Sequence, residues 1–225
     1  MIVVHHLEKS RSQRVLWLLE ELGQPYEVKV YKRDPKTILA PKSLMKVHPL
    51  GKSPVITDGE VTVAESGAII EYLVERYDSA GRFKPKAGTQ AALDYRYWLH
   101  YAEGSLMTPL ILALVFSRLP NQPMPFFVRP VVKALCAKVM AGYVHPQLQT
   151  HFRFVEQQLA KSEWFAGDAF SAADIQMSYP LMAAVERSGL ELPRVRDFVA
   201  RVKARPAWQR AEAAHGPFEL PGADG

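Results

Sequence analysis

The sequence has little cysteine and no long apolar run. Its single cysteine, Cys136, excludes an intramolecular disulfide and any metal site built from several cysteines, so we expect no metal. The longest apolar run, residues 109–116, is far shorter than the roughly 20 residues that a bilayer requires. The first residues lack a basic segment followed by an apolar stretch, so no secretory signal is visible. We therefore expect a cytoplasmic protein without a membrane span.

The charge of the chain is positive but unevenly distributed. The 225 residues carry a formal net charge of +5, whereas residues 1–80 balance 11 basic against 11 acidic side chains. The basic residues between positions 194 and 210 are spaced through a short helical pattern, without a strand array of aromatic side chains on which bases could stack. This pattern favours a solvated basic surface over nucleic-acid binding.

Apolar periodicity predicts an α/β fold for residues 1–80. Residues 2–5 are β-branched and predict a strand, and the leucine-rich helix that follows ends at Gly23. Residues 26–31 alternate as a second strand, which gives a β-α-β unit with a right-handed crossover. The complete order that we expect is β-α-β-α-β-β-α, a small mixed sheet with helices on both faces.

Beyond residue 80 the character of the sequence changes. Serine, glycine and proline interrupt the pattern between residues 78 and 89, which we interpret as a linker. After it the apolar spacing is helical throughout, and Pro146 is expected to kink or divide the helix in which it lies. The sequence therefore predicts two domains: an α/β domain at residues 1–80 and an all-α domain at residues 89–220.

Residues 48–73 have the properties of a single ligand-binding segment. Asp58-Gly59, between two short β-branched runs, is the dipeptide that a type I′ hairpin prefers. Pro54 then begins a strand at a sheet margin, where its missing N–H is tolerated and where a cis Ser53–Pro54 bond can occur. A cis bond would turn the backbone groups of Ser53 outward to pair with a peptide-like ligand.

The pair Glu65-Ser66 follows this hairpin and precedes an apolar helical pattern. A helix N-terminus offers unpaired N–H groups to an anion, and the Ser66 hydroxyl adds a further donor. Glu65 is suited to an ammonium group. The chemistry matches an amino-acid-like head group, with Glu65 on the ammonium and Ser66 with the helix end on the carboxylate.

Three motifs together carry a family resemblance. They are Gly51-Lys-Ser-Pro54, Glu65-Ser66 and Ser171-Ala-Ala-Asp174. At these separations the chain resembles the cytosolic glutathione transferases over nearly its whole length, and most closely a serine-using, theta-like branch of bacteria and fungi. The resemblance implies a thioredoxin-like N-terminal domain, glutathione as co-substrate, a homodimer, and a detoxification enzyme whose glutathione thiolate attacks a small hydrophobic electrophile.

Ser10 and Ser12 are the candidates for the catalytic hydroxyl. Either could simply cap the first helix. Serine-type members of the resembled family have a serine four residues before an arginine, and Ser10 stands in that relation to Arg14. We therefore place Ser10 first and Ser12 second. The hydroxyl donates to the sulfur and needs no histidine base, so we interpret His5 and His6 as a structural pair.

The resemblance also implies the remaining site residues. Lys52, otherwise a solvated loop lysine, would approach the glycyl carboxylate of glutathione, with the backbone of Ser53 at the Pro54 bond and with Glu65 and Ser66 completing the glutathione site. For the hydrophobic substrate pocket we predict residues of the first long helix after the linker. These residues are Tyr97, Tyr101, Ser105 and Met107. The spacing of Tyr97 and Tyr101 is also typical of a helix that packs in a core.

The Ser171–Asp174 motif predicts a fold element and no chemistry. Ser171 and Asp174 have the spacing of a capping box, with Phe170 and Ile175 at the positions of a hydrophobic staple. Removing such a cap is expected to cost about 1 kcal/mol of stability.

Two alternatives to the transferase remain open from the sequence. A glutathione-dependent peroxidase or isomerase would use the same thiolate on the same fold. A non-catalytic binding module is the alternative from another class, because a fold does not imply an activity.

Overall fold

The first half of the chain folds around one small mixed sheet. The computed structural model describes residues 1–35 and 37–220, and within them the strands are ordered β2-β1-β3-β4. They are β1 (Ile2–Leu7), β2 (Tyr26–Tyr31), β3 (Val55–Asp58) and β4 (Val61–Ala64). β1 pairs parallel with β2 and antiparallel with β3, and β4 extends the sheet antiparallel to β3. The predicted α/β fold is confirmed.

One predicted helix of this half is absent from the described residues. Between β2 and β3 they contain only the short 3₁₀ helix Lys42–Lys46, where we expected an α-helix. Pro41 precedes that turn and Pro49 follows it closely. Since proline cannot donate within a helix, too few residues lie between the two for an α-helix to propagate.

The β3–β4 hairpin is shifted by one residue from our prediction. Asp58 pairs with Val61, so the two loop residues are Gly59 and Glu60. Of these two, only Gly59 has a positive φ, 60°. A glycine with positive φ at the first loop position is the pattern of a type II′ turn, whereas type I′ requires positive φ at both positions. The Ser53–Pro54 bond before β3 is cis, as predicted.

All further elements are helical. α1 (Gln13–Leu22) ends at Gly23, whose φ of 66° allows a left-handed C-cap, and α2 (Ser66–Tyr77) follows the hairpin. The mostly helical second half is confirmed. Its helices are α3 (Gln90–Tyr101), α4 (Met107–Arg118), α5 (Arg129–Val139), α6 (His145–Lys161), α7 (Ala172–Arg187), α8 (Pro193–Ala204) and α9 (Pro206–His215).

Wide π turns join these helices into two long runs. Residues Ala102–Leu106 connect α3 to α4, and residues Met140–Val144 connect α5 to α6. Pro109 and Pro146 lie just beyond these turns, where a regular helix would need an N–H that proline lacks. The helix that contains Pro146 therefore changes geometry in the turn before the proline.

One of these runs is apolar enough to be compared with a membrane span. Residues Gln90–Asn121 reach a mean hydropathy of 1.4 over their most apolar window, of which 39% is buried. The core helix of a soluble protein meets the same criteria of length and composition. Here Tyr95, Trp98 and Leu99 of α3 lie in the core. One face of this run therefore packs in the core, while the other face is exposed.

The main hydrophobic core connects both halves of the chain. Trp17 of α1 is fully buried and meets Trp208 of α9 edge-on, with ring centroids 5.1 Å apart. Ion pairs also join the two halves of the chain: Arg205 pairs with Glu21, and Lys9 pairs with Glu219 at 3.1 Å. The division at residues 80 and 89 thus remains a proposal about organisation, across a core that is continuous.

α7 lies in the middle of that core, and its first turn is held by the predicted capping box. The buried Asp174 carboxylate accepts hydrogen bonds from the backbone N–H of Ser171 at 2.8 Å and from its hydroxyl at 3.0 Å. It also accepts from the backbone N–H of Phe165 at 2.8 Å, a contact that the motif did not predict. Burial raises the pKa of Asp174 to about 6.

Candidate active site

A cavity of about 630 Å³ opens between the two halves. The first half contributes the loop after β1 and the segment before the cis proline, including Ser10, Lys52 and Ser53. The second half contributes one face of α4, beginning at Met107, and Tyr179 of α7. The structure therefore brings four of the predicted site residues to one cavity.

Ser10, and not Ser12, lies at the wall of this cavity. Ser12 is fully buried at the N-cap position of α1, yet its hydroxyl does not cap the helix. Its Oγ lies 2.7 Å from the Oγ of Ser10 and 2.8 Å from Nδ1 of His6. This geometry favours Ser10 as the hydroxyl that a ligand meets, with Ser12 behind it.

The two histidines of β1 have different surroundings. His5 is buried, and its Nδ1 lies 3.0 Å from the Tyr31 hydroxyl, which fits a structural role. His6 bonds to Ser12, so sequence reasoning missed its connection to the site. Burial lowers the pKa of His6 to about 4; His215 adds to this effect and Glu8 opposes it. Strand alternation alone could have separated the pair, because neighbouring residues face opposite sides of a sheet.

The Ser53 side chain fixes the segment before the cis bond. Its hydroxyl donates to the backbone oxygen of His5 at 3.0 Å and accepts from the backbone N–H of Leu7 at 3.3 Å. Both contacts are to β1, which leads directly to the Ser10 loop. Lys52 beside it lines the cavity.

Glu65 has an unusual backbone conformation for a non-glycine residue. Its φ is 71° and its ψ is 124°, at the N-cap of α2, and its side chain makes no capping bond. A bulky residue in this region is strained, and such strain often marks a functional position. The side chain is exposed and free of the sheet, while its backbone oxygen accepts from Ile69 at 2.9 Å.

Ser66 is more enclosed than its motif indicated. It is 3% exposed, and neither it nor Glu65 belongs to the lining of the 630 Å³ cavity. Its Oγ accepts from Nη1 of Arg14 at 3.1 Å and from Nε2 of Gln176 at 3.3 Å. Since both acceptor positions are filled, the hydroxyl hydrogen is left to donate elsewhere.

Arg14 connects this region to the second half of the chain. The sequence used it only to mark a spacing, but the side chain is fully buried. The two hydrogens of its Nη1 are shared among three acceptors, Glu103 at 2.7 Å, Gln176 at 2.8 Å and Ser66 at 3.1 Å. Its guanidinium lies 5.1 Å from the ring centroid of Tyr179. Burial lowers the pKa of Arg14, and the Glu103 carboxylate opposes that shift.

The structure does not bring the four residues predicted for the substrate pocket together in one cavity. Tyr97, Tyr101 and Ser105 line a separate shallow depression on another face of α3, and of the four only Met107 lines the cavity beside Ser10. Tyr101 is turned toward α6, where its hydroxyl lies 2.5 Å from Nδ1 of His151. The apolar wall of the cavity comes instead from α4, one turn further on, with Leu110, Ile111 and Leu114.

Metal ligands are not gathered at this site. Across residues 1–35 and 37–220, no group of three or more histidine, cysteine, aspartate or glutamate side chains could hold a metal ion.

Comparison with known sequences identifies both halves. The family model "Glutathione S-transferase, N-terminal domain" matches residues 1–75, and "Glutathione S-transferase, C-terminal domain" matches residues 124–206. Glutathione S-transferase 3 of Schizosaccharomyces pombe is 42% identical over 185 residues, covering 82% of this chain and 74% of the relative. Glutathione S-transferase 1 of Saccharomyces cerevisiae is 36% identical over 194 residues, covering 83% and 82%.

Solved structures agree with this result. A glutathione S-transferase from Actinobacillus pleuropneumoniae is 32% identical, with a TM-score of 0.79 over 95% of this chain and 92% of that one. A glutathione transferase from Phanerochaete chrysosporium, solved with oxidised glutathione, shares the fold at 22% identity, with a TM-score of 0.74 and 95% of each chain covered. The serine-using, theta-like branch stays a prediction. The two matching family models and the relatives above 30% identity show that the chain belongs to the glutathione S-transferase family of enzymes.

Proposed function

We propose that this transferase binds glutathione against the first half of the cavity and that the Ser10 hydroxyl stabilises its thiolate. The position of Ser10 at the cavity wall, beside Lys52 and Ser53, carries the proposal. A free thiol with a pKa of about 8.5 is only a few per cent ionised at neutral pH. A hydroxyl donor and the positive end of α1 would lower that pKa, and the sulfur would then attack the electrophile directly.

The charge of the cavity supports an anionic co-substrate. Basic side chains line it from both halves of the chain, and within the described residues no carboxylate does. One of them, Arg11, is paired with Glu103 at 3.1 Å. The others that line the cavity are Arg33, Lys52, Arg118 and Arg187. Glutathione carries two carboxylates and one ammonium, so this field attracts it.

The head-group assignment follows the same chemistry. We assign the glycyl carboxylate to Lys52 and the peptide to the Ser53 backbone at its bond with Pro54. The γ-glutamyl ammonium goes to Glu65 and the carboxylate to the hydroxyl hydrogen of Ser66. The strained backbone of Glu65 and the filled acceptor positions of Ser66 support these roles.

The electrophile would occupy the apolar wall of the cavity. Met107, Leu110, Ile111 and Leu114 present this wall from α4, opposite the Ser10 loop. An apolar surface facing the thiolate suits a small hydrophobic electrophile, and detoxification is the role that we infer from this chemistry.

Removing the Ser10 hydroxyl should separate thiolate formation from binding. We expect Ser10→Ala to bind glutathione but to lose most of the thiolate absorbance of its complex near neutral pH, because the donor is gone. Ser117→Ala is the matched control, since Ser117 lines the same cavity and donates to the backbone oxygen of Leu114. Normal turnover in Ser10→Ala together with an inactive Ser12→Ala would transfer the role to Ser12.

Replacing Glu65 should weaken binding without weakening the fold. A hydrogen bond to a charged group contributes about 1.5–3 kcal/mol, so Glu65→Gln should raise the glutathione dissociation constant about 10- to 100-fold. Its melting temperature should stay near that of the wild type, because the side chain is exposed. Calorimetric titration measures the effect, with Glu60→Gln in the hairpin loop as control. An unchanged isotherm would remove Glu65 from the site.

Turnover assays distinguish the transferase from its alternatives. We expect retention on immobilised glutathione and conjugation of an aryl halide. Reduction of cumene hydroperoxide in place of conjugation would favour the peroxidase. Retention without either reaction would favour the binding module.

Homodimer formation and a cytoplasmic location complete the proposal. The depression on α3 supports the dimer, because Leu93 and Tyr97 expose about half of their surface there, 53% and 47%. Sedimentation equilibrium measures the oligomeric state, and fractionation of cells measures the location.

A further inference from the structure

The side chains of His6, Ser12 and Ser10 form a hydrogen-bonded relay behind the cavity wall. Nδ1 of His6 lies 2.8 Å from Oγ of Ser12, which lies 2.7 Å from Oγ of Ser10. Ser10 lines the main cavity and also, together with His6, a second cavity of about 200 Å³. The Ser10 hydroxyl is therefore connected to an imidazole that does not line the main cavity.

The position of the His6 proton determines the direction of the hydrogen bonds in this relay. If Nδ1 of His6 carries a proton, it donates to Ser12, and the Ser12 hydroxyl then donates to its nearest acceptor, Ser10. The Ser10 oxygen also accepts from the backbone N–H of Ser12 at 3.3 Å. Both of its acceptor positions are then filled, so its own hydrogen is left for the cavity.

The opposite tautomer would disable the site. With Nδ1 unprotonated, Ser12 would donate to His6, and the Ser10 hydroxyl would donate to Ser12. A thiolate in the cavity would then meet an oxygen lone pair. The backbone oxygen of Leu7 competes for the single hydrogen of the Ser12 hydroxyl, but at 3.3 Å it is the most distant of the three possible acceptors. The His6 tautomer thus determines whether Ser10 has a hydrogen to offer.

We propose that His6 is a positioning residue that acts through Ser12 to direct the Ser10 hydroxyl hydrogen at the sulfur of glutathione. The inference rests on the proposed function of Ser10. A negatively charged sulfur stabilises the arrangement in which His6 donates to Ser12, Ser12 donates to Ser10, and Ser10 donates to the sulfur. Hydrogen bonds aligned in this way strengthen one another.

His6 does not act as the base in this arrangement. With a pKa of about 4, only about one imidazole in a thousand is protonated at pH 7, so it does not take up the thiol proton. That proton leaves to solvent through the open cavity when the S–H bond ionises, and His6 keeps its own. The charged and titratable groups that face His6 across its small cavity come from its own strand end and from the C-terminal segment: Glu8, Lys9, His215 and Glu219.

The decisive measurement is the pH titration of thiolate absorbance in the glutathione complex. His6→Leu removes this donor, so the apparent pKa of the glutathione thiol should rise by about half to one unit. At pH values below that pKa, the thiolate population should fall about three- to tenfold. His6→Asn should stay close to the wild type, because its amide nitrogen can occupy the place of Nδ1 and donate. Ser12→Ala should match His6→Leu, and the double variant should lose no more than either single variant.

S-Methylglutathione is the control ligand, because it has no thiol to ionise. Its dissociation constant should be the same in all of these variants, which would show that each still folds and binds. An unchanged thiol pKa in His6→Leu, beside a lowered pKa in the wild type, would overturn the role of His6. Absence of a thiolate band in the wild type would instead overturn the proposed function of Ser10.

Discussion

Arg14→Met is expected to lower the free energy of unfolding by about 3–5 kcal/mol, because the buried oxygens of Ser66 and Gln176 lose a donor at about 1–3 kcal/mol each and Glu103 loses one of its two arginine partners. The substitution removes the donor that Glu103, Gln176 and Ser66 share. Domains are stable by only about 5–15 kcal/mol, so the variant should be close to its folding limit. Urea unfolding at neutral pH measures the loss.

A surface arginine provides the control for this prediction. Arg210 is exposed and pairs with Glu20 at 2.9 Å, so Arg210→Met should change stability by no more than about 1 kcal/mol. The glutathione dissociation constant of Arg14→Met should also rise, because Ser66 loses its support. A loss of stability as small as that of Arg210→Met would mean that the buried network contributes little.

Asp174→Ala should have a comparably large effect, about 2–6 kcal/mol, because it leaves the buried N–H groups of Phe165 and Ser171 without an acceptor at about 1–3 kcal/mol each. This exceeds the loss of about 1 kcal/mol that a helix cap alone predicts, and Ser171→Ala should stay near that smaller value. Glutathione affinity at low temperature should be unchanged. A loss of affinity at normal stability would make Asp174 a site residue.

The same carboxyl should give the protein an inverted pH dependence. The folded Asp174 keeps its proton up to a pKa of about 6, well above the ordinary value of about 3.9 for an aspartate. The part of its contribution that depends on this proton is therefore full below pH 4 and is lost as the pH rises to 6, whereas its hydrogen bonds to backbone N–H groups remain. His6 acts in the opposite direction, because its contribution is present above pH 6.5 and is lost as the pH falls toward 4.

These two contributions oppose each other between pH 4 and 6. Asp174→Asn should therefore lose stability more steeply than the wild type as the pH falls through that window. Unfolding curves at several pH values measure the slopes. Parallel slopes in the two proteins would show that Asp174 titrates as an ordinary carboxyl.

Local patterns predicted most of the scaffold. Gly23, the cis bond before Pro54 and the start of α2 after Glu65 follow from residue chemistry that acts over a few positions. The hairpin register differed by one residue, because pairing between β3 and β4 determined which residues form the loop. Local signals fix where an element begins more reliably than how it pairs.

The errors and omissions have a different physical origin. The stripe of Tyr97 and Tyr101 predicted a helical face correctly, but the rotation of α3 against its neighbours decides which cavity that face lines. Arg14 and Glu103 are 89 residues apart, and only the packed fold brings them together. Such contacts depend on how helices pack across the molecule, which no short pattern contains.

The return of α9 to α1 has a consequence for synthesis. Trp17 packs against Trp208, and Lys9, next to Ser10, pairs with Glu219. Because Trp208 follows Trp17 by 191 residues, a ribosome must add all of these residues before α1 has all its neighbours. During that interval the tryptophan face of α1 is open to solvent and to chaperones. The surroundings of Lys9, next to Ser10, are thus complete only after the segment that contains Glu219 has been made.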